Sequence, residues 1–397
     1  MASLLPPSPP RNLSLRKKIS SHLKLLRKKS KIYKEWEETW AEDRKDFSEV
    51  YHDIVRLIWE YNVPFSMIFP GYWEEHMHKK GNPLEEYVIW REWDMWRKYL
   101  DWQCHENYKK LYSKEETIEL FSEHNIPCPA LIGFLVWNRQ EGKPFIIKND
   151  ETQISLREAM NEYGGLFIKP DDMVQGKGCA KIQLTDDGSY LVNDTVSREE
   201  ELVDLFQVSE TKSVEKLQVE RLIVQHRDLA AIHPSSVNTL RLITIKDSSG
   251  NITLSRSLLR MGIGGRSVDN WCTGGLAVRI NEDGTLEENG WFEKPNRGPQ
   301  AVHPDTGIRF KGYALPYWEE SVRLVLHAHN TLVPDLFGVG WDVAITSTGP
   351  ILIEANPNFS IFQPICGGMR PMLEQYLKPM CMAVMHGQKP LIHYNTK

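Results

Sequence analysis

Cysteines are few in this sequence, and it has no apolar run long enough to cross a membrane. Its six cysteines are scattered over 397 residues without the paired spacing of a metal site or a disulfide framework. No stretch approaches the roughly 18–20 consecutive apolar residues of a membrane-spanning helix. We therefore expect a reduced, cytoplasmic chain. The 41% apolar and 25% charged content is that of a globular protein with a large core and two or three domains.

Acidic residues are absent from the first 34 positions, which hold ten Lys or Arg, whereas the rest of the chain carries 38 basic and 53 acidic residues. Leu15, Ile19, Leu23 and Leu26 recur at helical spacing among the basic residues, so residues 1–34 are predicted to form a basic amphipathic segment. Two interpretations stay open. The apolar stripe packs on the next helix, or residues 11–34 attach peripherally to the inner face of a membrane or to a partner.

Nucleic-acid binding is not expected, because the basic residues form one terminal block without interleaved aromatic residues.

Residues 35–106 are predicted to form a helical domain, and they hold eight of the thirteen tryptophans. Trp90, Trp93 and Trp96 share one helical face, which is typical of a core stripe. His76 and His78, in the polar connector 76–83 before this stripe, resemble metal ligands, but no third ligand lies nearby at a recognisable spacing. A metal site is therefore not favoured there.

A predicted β-hairpin near the C-terminus has two apolar strands around a polar turn at 347–350. If the turn centres on Thr348, Asp342 lies opposite Glu354, and Asn356 projects from the same face as Glu354. Two carboxylates this close repel each other and require a cation between them. Carboxylate and amide oxygens suit Mg²⁺. The alternative is a solvated strand edge with unrelated acids.

A second candidate site follows an apolar strand that ends at Lys169. The next loop contains Gly176, Lys177 and Gly178, whose backbone N–H groups and lysine are suited to bind phosphate. It is not a Walker A loop, because Cys179 stands where Ser or Thr is required. A surface turn is the alternative interpretation.

Two further strands carry charged residues at positions that are otherwise apolar. Glu220 interrupts the strand-like run 217–226. Arg241 alternates with leucines in the run 238–245 and points away from them, which suits capture of a carboxylate or phosphate. The alternative for Arg241 is an ion pair with nearby acids.

The order of these elements resembles the ATP-grasp superfamily over residues 107–370. The resemblance rests on Lys169-Pro170, the Gly-Lys-Gly loop, Glu220, Asn238 with Arg241, and the acidic hairpin. Further motifs resemble the sugar-transfer-associated branch of that superfamily, namely Arg260-x-Gly262, Asp269-Asn270, Gly274-Gly275 and Gly340-Trp341-Asp342.

The resemblance implies an α+β fold in which two α+β lobes, residues 107–225 and 226–397, clasp ATP after a helical, Trp-rich N-terminal region. It implies two Mg²⁺ ions on Asp342, Glu354 and Asn356. The implied ATP contacts are Lys114, Lys169, Gly176, Lys177, Gly178, Glu220, Arg221, Leu222, Ile223 and Asn238. The candidates for holding the acceptor are Arg241, Arg260, Arg279 and Asn270.

By the same resemblance, the expected activity is that of a carboxylate–amine ligase, which forms an amide through an acyl phosphate. An amino acid and a sugar acid or amino sugar of a surface polysaccharide are the candidate substrates. One alternative is a phosphotransferase acting on a hydroxyl, with His303 or His327 as base. Another is a non-catalytic nucleotide-binding partner of a glycosyltransferase, docked through residues 11–34.

The sequence departs from the superfamily pattern in two places. Many ligases carry Arg just before the first metal-binding acid, where this chain has Trp341, so another Arg must serve or the acceptor differs. Residues 1–105 match nothing in the minimal fold.

Overall fold

The computed structural model describes residues 12–103, 110–170, 178–193, 195–209, 212–213, 215–247, 249–266, 268–294 and 296–386. In these ranges no helix has the length and apolar character needed to cross a membrane. Helices dominate the first hundred residues, and antiparallel strands dominate the rest.

The N-terminal helices are α1 (Leu15–Arg27), α2 (Lys29–Glu37), α3 (Phe47–Trp59), α4 (Phe65–Glu74) and α5 (Trp90–Gln103). Ser14 caps α1 by accepting a hydrogen bond from the Lys17 backbone, and α3 begins with a capping box. Helices α1 to α4 surround a core of their own, to which α1 contributes Leu25.

The predicted apolar stripe of α1 faces solvent rather than the next helix. Leu15 is 65% exposed, Ile19 45%, Leu23 47% and Leu26 52%, whereas Ser21 and Leu25 on the other face are buried. The interpretation in which this stripe packs on a neighbouring helix is therefore wrong.

The aromatic stripe of α5 is a core stripe, as predicted. Trp93 is fully buried, Tyr99 is nearly so, and Trp90 and Trp96 pack against the same cluster. The Trp93 ring meets Phe337 at a centroid distance of 5.8 Å, so α5 shares its core with the C-terminal half of the chain.

A buried arginine fixes α5 to the loop that follows the acidic hairpin. Arg97 donates to Asp94 at 2.8 Å, to Asp101 at 2.6 Å and to the side chain of Asn358 at 2.6 Å. Asp101 also accepts from the Phe337 backbone at 3.2 Å. Breaking such a buried network by removing one member is strongly destabilising.

Glu75, just after α4, is a buried carboxyl at the junction with the C-terminal half. Gln363 donates to it at 2.8 Å. Burial is the largest cause that raises the pKa of Glu75, to about 8. The folded state therefore keeps a proton that the unfolded chain releases above an ordinary pKa of 4.5. Stability contributed by this group is lost as the pH rises from 4.5 towards 8.

We expect Glu75→Gln to become more stable relative to the wild type as the pH rises. The glutamine cannot ionise and still accepts from Gln363, so the difference in free energy of unfolding should grow by about 2–4 kcal/mol between about pH 5 and 8.5. Urea unfolding of both proteins at several pH values measures this difference. Burial also raises the pKa of Asp101, to about 6. Asp101 is present in both proteins, so it adds the same pH dependence to the free energy of unfolding of each. Parallel stability curves would contradict the prediction.

The first sheet has the strand order β3-β2-β1-β10-β4-β5-β6-β7. Helix α6 (Lys114–Glu123) precedes it, capped by Ser113, and α7 (Leu156–Tyr163) lies between β3 and β4. Its strands are β1 (Leu131–Asn138), β2 (Lys143–Lys148), β3 (Gln153–Ser155), β4 (Leu166–Lys169), β5 (Ala180–Leu184), β6 (Tyr190–Val192), β7 (Thr195–Ser197) and β10 (Lys216–Arg221). A short 3₁₀ helix, Glu199–Phe206, and the pair β8 (Gln207–Ser209) and β9 (Lys212–Ser213) precede β10.

The second sheet has the order β14-β13-β12-β11-β15-β16, and every strand pairing in the described residues is antiparallel. Its strands are β11 (Thr239–Lys246), β12 (Ile252–Met261), β13 (Leu276–Ile280), β14 (Leu286–Trp291), β15 (Gly338–Thr346) and β16 (Gly349–Asn356). The accompanying helices are α8 (Arg227–Ile232), α9 (Trp318–Leu332), α10 (Gln363–Cys366), α11 (Arg370–Met372) and α12 (Lys378–Met385), with a 3₁₀ turn at Trp271–Thr273 and a π-helical turn at Leu373–Leu377.

Backbone hydrogen bonds join the acidic hairpin to the segment before β1 and to the segment after β10. Leu352 donates to the Pro127 carbonyl at 2.8 Å, and His226 donates to the Ile345 carbonyl at 2.7 Å. The hairpin is thus held by both halves of the strand-rich region.

Candidate active site

Two buried arginines converge on Asp342 in the second sheet. Arg241 lies directly opposite Asp342 in the β11–β15 pairing. Its Nε donates to Asp342 Oδ1 and its Nη2 to Oδ2, the latter at 3.0 Å. Arg260 Nη2 donates to the same Oδ2 at 2.9 Å. The ion-pair alternative for Arg241 is thus correct in geometry, and its partner is the carboxylate predicted to bind metal.

The electrostatics of this centre keep Asp342 ionised. Burial alone raises the pKa of Asp342, but Arg241 and Arg260 outweigh it and hold the pKa below the usual value. Burial in turn lowers the pKa of Arg260, and the charges of Asp269, Asp342 and Glu354 raise it overall.

Thr239 and Asp269 extend the centre. Thr239 was not singled out in the sequence, and Asp269 appeared there only within a family motif, without an assigned role. Arg260 lies opposite Thr239 in the β11–β12 pairing and donates to Thr239 Oγ1 at 2.7 Å. Thr239 donates in turn to Asp269, whose carboxylate also accepts from the Thr239 backbone at 3.1 Å. Thr239 could have been selected from the sequence, because it lies two residues before Arg241 and therefore on the same face of the strand.

The hairpin brings Asp342 opposite Glu354, as predicted, but by a different turn. The turn is Ser347–Thr348, with Thr346 opposite Gly349, and the pairing then shifts between Asp342 and Val343 because Ile353 is an extra residue in β16.

The β-bulge at Ile353 changes which residues of β16 face the core. Leu352 and Ala355 both pack in the main core cluster, together with Trp341 and Val343 of β15. Residues two apart on a regular strand share a face, so Glu354 would otherwise lie on the side of Leu352. After the bulge, Glu354 shares the face of Asp342.

The residues on this face fit a magnesium ion. All three candidate ligands offer oxygen, and Asn356, opposite Gly340, lies two residues beyond Glu354. The Asn356 side-chain nitrogen is buried without a hydrogen-bond partner among the described residues, so the amide is not committed to the protein. A carboxylate offers about four acceptor positions, and the arginines use three of those on Asp342. One position on Oδ1 remains for a metal.

Trp341, which stands where many ligases carry Arg, faces the opposite side of β15. It is fully buried, and its indole N–H donates to Thr244 Oγ1 at 2.8 Å. The guanidinium groups at Asp342 come instead from β11, which pairs with β15, and from β12, the next strand in the sheet.

Lys169 and Glu220 form a buried ion pair in the first sheet. Lys169 lies opposite Gln218 in the β4–β10 pairing, and Gln218 donates to Glu220 Oε1 at 2.7 Å. Lys114, at the start of α6, donates from Nζ to the Pro170 carbonyl at 2.7 Å. Three of the predicted nucleotide-binding side chains therefore lie together at the end of β4.

The predicted phosphate loop is described only at its end. Gly176 and Lys177 lie outside the described residues, and Gly178 has a positive φ of 74° that favours glycine. Burial raises the pKa of the adjacent Cys179 thiol, Lys114 and Lys169 lower it, and Glu354 raises it. This loop thus ends within electrostatic range of both the lysines and the acidic hairpin.

The segment predicted to contact adenine leaves the sheet directly after Glu220. β10 ends at Arg221, whose exposed guanidinium lies over the Tyr163 ring at 5.1 Å. The Arg221 side chain therefore points away from the face of Glu220, and the nucleotide contact of this residue stays a prediction. Leu222 and Ile223 follow the strand and are half-buried.

Three other predicted residues form no hydrogen bond or ion pair with Asp342, Arg241 or Arg260 in the described part of the chain. Arg279 is exposed on β13 and pairs with Glu287 at 3.5 Å. Asn238 is fully buried, and its amide donates to the carbonyls of Leu229 and His233, so it supports α8 rather than facing a ligand. Asn270 caps the turn Trp271–Thr273 through its backbone, and its neighbour Asp269 enters the arginine network instead.

The match to a known family agrees with this arrangement. The family described as sugar-transfer associated ATP-grasp matches residues 99–375, well over half of the chain. The chain belongs to this family. The ATP-grasp fold, with its helical N-terminal region and curled antiparallel sheets, is therefore the fold of this protein, and the resemblance noted in the sequence is confirmed.

Several solved structures resemble this ATP-grasp protein at low identity. D-alanyl-alanine synthetase A from Vibrio cholerae O1 biovar eltor aligns with a TM-score of 0.41 and 14% identity, over 71% of this chain and 67% of that one. The biotin carboxylase domain of Hydrogenobacter thermophilus 2-oxoglutarate carboxylase, in complex with MgADP, ADP and bicarbonate, aligns with a TM-score of 0.39 and 10% identity, over 72% of this chain. D-alanine–D-alanine ligase from Bacillus anthracis aligns with a TM-score of 0.36 and 10% identity, over 76% of this chain and 78% of that one.

This ATP-grasp protein spans about half, 47%, of the biotin carboxylase chain. Scores at this level carry no information about substrate. No curated protein matches the sequence.

Proposed function

We propose that this chain is an ATP- and Mg²⁺-dependent carboxylate–amine ligase. The observation that supports this most is the convergence of Asp342, Glu354 and Asn356 on one face of the hairpin, beside the guanidinium groups of Arg241 and Arg260. An all-oxygen metal set next to fixed positive charge suits phosphoryl transfer, which needs charge neutralisation and positioning more than a protein nucleophile.

The proposed reaction has two steps. A carboxylate oxygen of the acid substrate attacks the γ-phosphorus of ATP, the bond from that phosphorus to the bridging oxygen breaks, and ADP leaves. The amine nitrogen then attacks the acyl carbon, inorganic phosphate leaves, and the nitrogen loses a proton to give the amide. Mg²⁺, proposed as two ions, would neutralise the phosphate charges.

The nucleotide would lie between lobes 107–225 and 226–397. In this proposal Lys114, Lys169 and the loop Gly176–Gly178 bind the phosphates, while Glu220 accepts from the adenine amino group. Lys169 is paired with Glu220 in this structure, so the nucleotide would have to compete for both partners. The backbone of Leu222 and Ile223 would contact the ring edge.

Arg241 and Arg260 would hold the acceptor carboxylate or the charge that develops on it. A guanidinium has five N–H donors, and Arg241 uses two of them on Asp342. The same arginine can therefore hold Asp342 and still donate to a substrate oxygen.

The phosphotransferase alternative has no observation in its favour. His303 is buried with Nε2 on the Gly262 carbonyl, and His327 is exposed on α9, where it contacts Thr331. A non-catalytic nucleotide-binding partner is the other alternative, and ATP binding without turnover would favour it.

The test is ADP release from Mg-ATP against a panel of amino acids, uronic acids and amino sugars, with and without hydroxylamine. A hydroxamate formed with one acid would support carboxylate activation and identify that acid. ADP release without hydroxamate from any active substrate would favour phosphotransfer to a hydroxyl. The amide-forming partner is then found as the amine that replaces hydroxylamine. A sugar acid or amino sugar of a surface polysaccharide is the substrate class proposed here.

We also propose that α1 attaches the protein peripherally to an anionic membrane surface at the inner face of the membrane. Four apolar side chains face solvent, with Lys24, Arg27 and Lys28 exposed beside them, and this arrangement is typical of helices that lie in a bilayer interface. A glycosyltransferase at the same membrane is the protein partner that this location favours.

The double variant Ile19→Ser/Leu23→Ser should lower partitioning onto vesicles with anionic lipid by at least about tenfold, because each buried apolar side chain contributes about 1.5–3 kcal/mol. Co-sedimentation measures it, and the exposed Val196→Ser serves as the control. Equal vesicle binding by the double variant and the Val196→Ser control, with salt abolishing the binding of both, would show that binding is purely electrostatic. That result would contradict insertion of the apolar stripe.

A further inference from the structure

A second cluster of candidate ligands lies outside the proposed ATP site. His233 immediately follows α8, and His303 and Asp305 lie in the segment between β14 and α9. One ligand atom from each side chain lies within 4.8 Å of the other two. Both histidines are buried, whereas the Asp305 side chain is 35% exposed.

Backbone carbonyls determine which nitrogen of each ring carries hydrogen. His233 Nε2 is 3.2 Å from the Arg266 carbonyl oxygen, and His303 Nε2 is 2.9 Å from that of Gly262. A carbonyl only accepts, so Nε2 is the donor in both rings. A neutral ring of this tautomer has a lone pair on Nδ1.

These Nδ1 lone pairs have little to bind within the described part of the chain. His233 Nδ1 is buried and has no hydrogen-bond partner. His303 Nδ1 accepts only a long bond, 3.3 Å, from the Asp305 backbone. Asp305 Oδ2 lies 3.5 Å from His233 Nδ1 and accepts from the Gly264 backbone at 2.7 Å. A carboxylate oxygen that faces a nitrogen lone pair is repelled by it, so a cation or an additional proton belongs between them.

We propose that His233, His303 and Asp305 bind a divalent transition-metal ion, with Zn²⁺ as the best fit. Two imidazole nitrogens and one carboxylate oxygen are ligands that zinc takes, whereas Mg²⁺ prefers oxygen alone. Ligand atoms at zinc distances are about 3.3 Å apart in a tetrahedron, close to the 3.5 Å between His233 and Asp305. The Arg266 and Gly262 carbonyls orient the two rings, as hydrogen-bond acceptors behind ligating histidines do in zinc sites. A water molecule would supply the fourth ligand of the tetrahedral ion, on the exposed side next to Asp305.

The ion would hold the segment that follows β12. Gly262 and Arg266 supply the carbonyls that bind the two rings, and Gly262 approaches His233 so closely that a Cβ there would lie 2.8 Å from Nε2. Arg260 precedes this segment by two residues, and Asp269 follows it by three. Zinc would thus brace the loop that brings Asp269 to Arg260, in a structural role that is separate from the proposed ATP chemistry.

The test uses the full untagged chain, from which a chelator has removed bound metal. The protein is then equilibrated with Zn²⁺ in the presence of millimolar Mg²⁺, so that Mg²⁺ occupies the sites made only of oxygen ligands. We expect one zinc per chain by elemental analysis and a rise in Tm of about 3 °C or more with excess zinc. Asp305→Asn should weaken zinc binding at least tenfold, because it removes the charged ligand while leaving an exposed side chain of equal size. His327→Asn, an exposed histidine on α9, should bind like the wild type.

Three results would overturn the proposal. The first is that no zinc is retained at micromolar concentration. The second is that Asp305→Asn and His233→Gln retain as much zinc as the wild type, when circular dichroism shows that both variants are folded. The third is that Co²⁺ in place of zinc lacks the visible absorption of a four-coordinate site with nitrogen ligands. None of these measurements depends on ATP turnover, so the ligase proposal stands or falls separately.

Discussion

Glu354→Gln should lower ATP-dependent turnover by about 10²–10³-fold or more, while Tm stays near that of the wild type. Glu354 is half-buried, and no described side chain forms an ion pair with it. Glutamine has nearly the same shape, but it lacks the negative charge and has an NH₂ group in place of one carboxylate oxygen. A metal between Asp342 and Glu354 requires both the charge and the oxygen. The measurement is the rate of ADP release with a substrate identified by the hydroxylamine assay, together with a thermal melt.

Glu319→Gln is the matched control for this change. Glu319 lies on α9 with a side chain that is 82% exposed, so the same substitution there should leave both turnover and Tm unchanged. Turnover of Glu354→Gln at the wild-type rate in saturating Mg²⁺ would show that Glu354 does not bind the metal.

Asp342→Asn should differ from Glu354→Gln by destabilising the fold as well as inactivating the enzyme. Removing the carboxylate leaves the buried guanidinium groups of Arg241 and Arg260 without their shared counter-ion, a loss that typically costs about 3–5 kcal/mol. Urea unfolding followed by circular dichroism measures the free energy difference. We expect a clear loss for Asp342→Asn and almost none for Glu354→Gln, although both residues lie on the same hairpin face.

The pH dependence of this loss has a defined sign. Because the arginines lower the pKa of Asp342 in the folded state, its contribution is complete above the ordinary value of 3.8 and disappears as the pH falls through the lower, folded value. The difference between wild type and Asp342→Asn should therefore be constant at neutral pH and shrink only in acid. An equal stability of the two proteins at pH 7 would show that the arginines do not depend on Asp342.

The sequence was sufficient for those parts of the site that depend on local pattern. The hairpin, the strand that ends after Glu220 and the alternation that turns Arg241 from its leucine neighbours all follow from short-range periodicity. The order of these elements was sufficient for the family. The core stripe at Trp90, Trp93 and Trp96 also followed from helical spacing.

Contacts that depend on pairing between distant strands could not be predicted in the same way. Thr239 meets Asp269 only because β11 pairs with β12 and the loop after β12 folds back. The contacts of Asn238 with the end of α8 could not be predicted, because a polar residue before a strand does not reveal whether it faces a ligand or the end of a helix. The exposed stripe of α1 was ambiguous because Ser21 and Leu25 offered the bundle another face.

The bulge at Ile353 has a consequence for how this hairpin tolerates changes in chain length. Twelve positions separate Asp342 from Glu354, one more than a regular ladder closed by the turn Ser347–Thr348 needs, and Ile353 is the surplus residue. A chain that lacked Ile353 would keep both carboxylates opposite each other, and Leu352 and Ala355 would still face the core. Loss of Trp341, the residue between Gly340 and Asp342, would instead shift the pairing of β15 with β16 by one residue before Asp342. Deletion of Ile353 would therefore leave the register of the hairpin unchanged, and an alignment gap at this position would keep Asp342, Glu354 and Asn356 on one face.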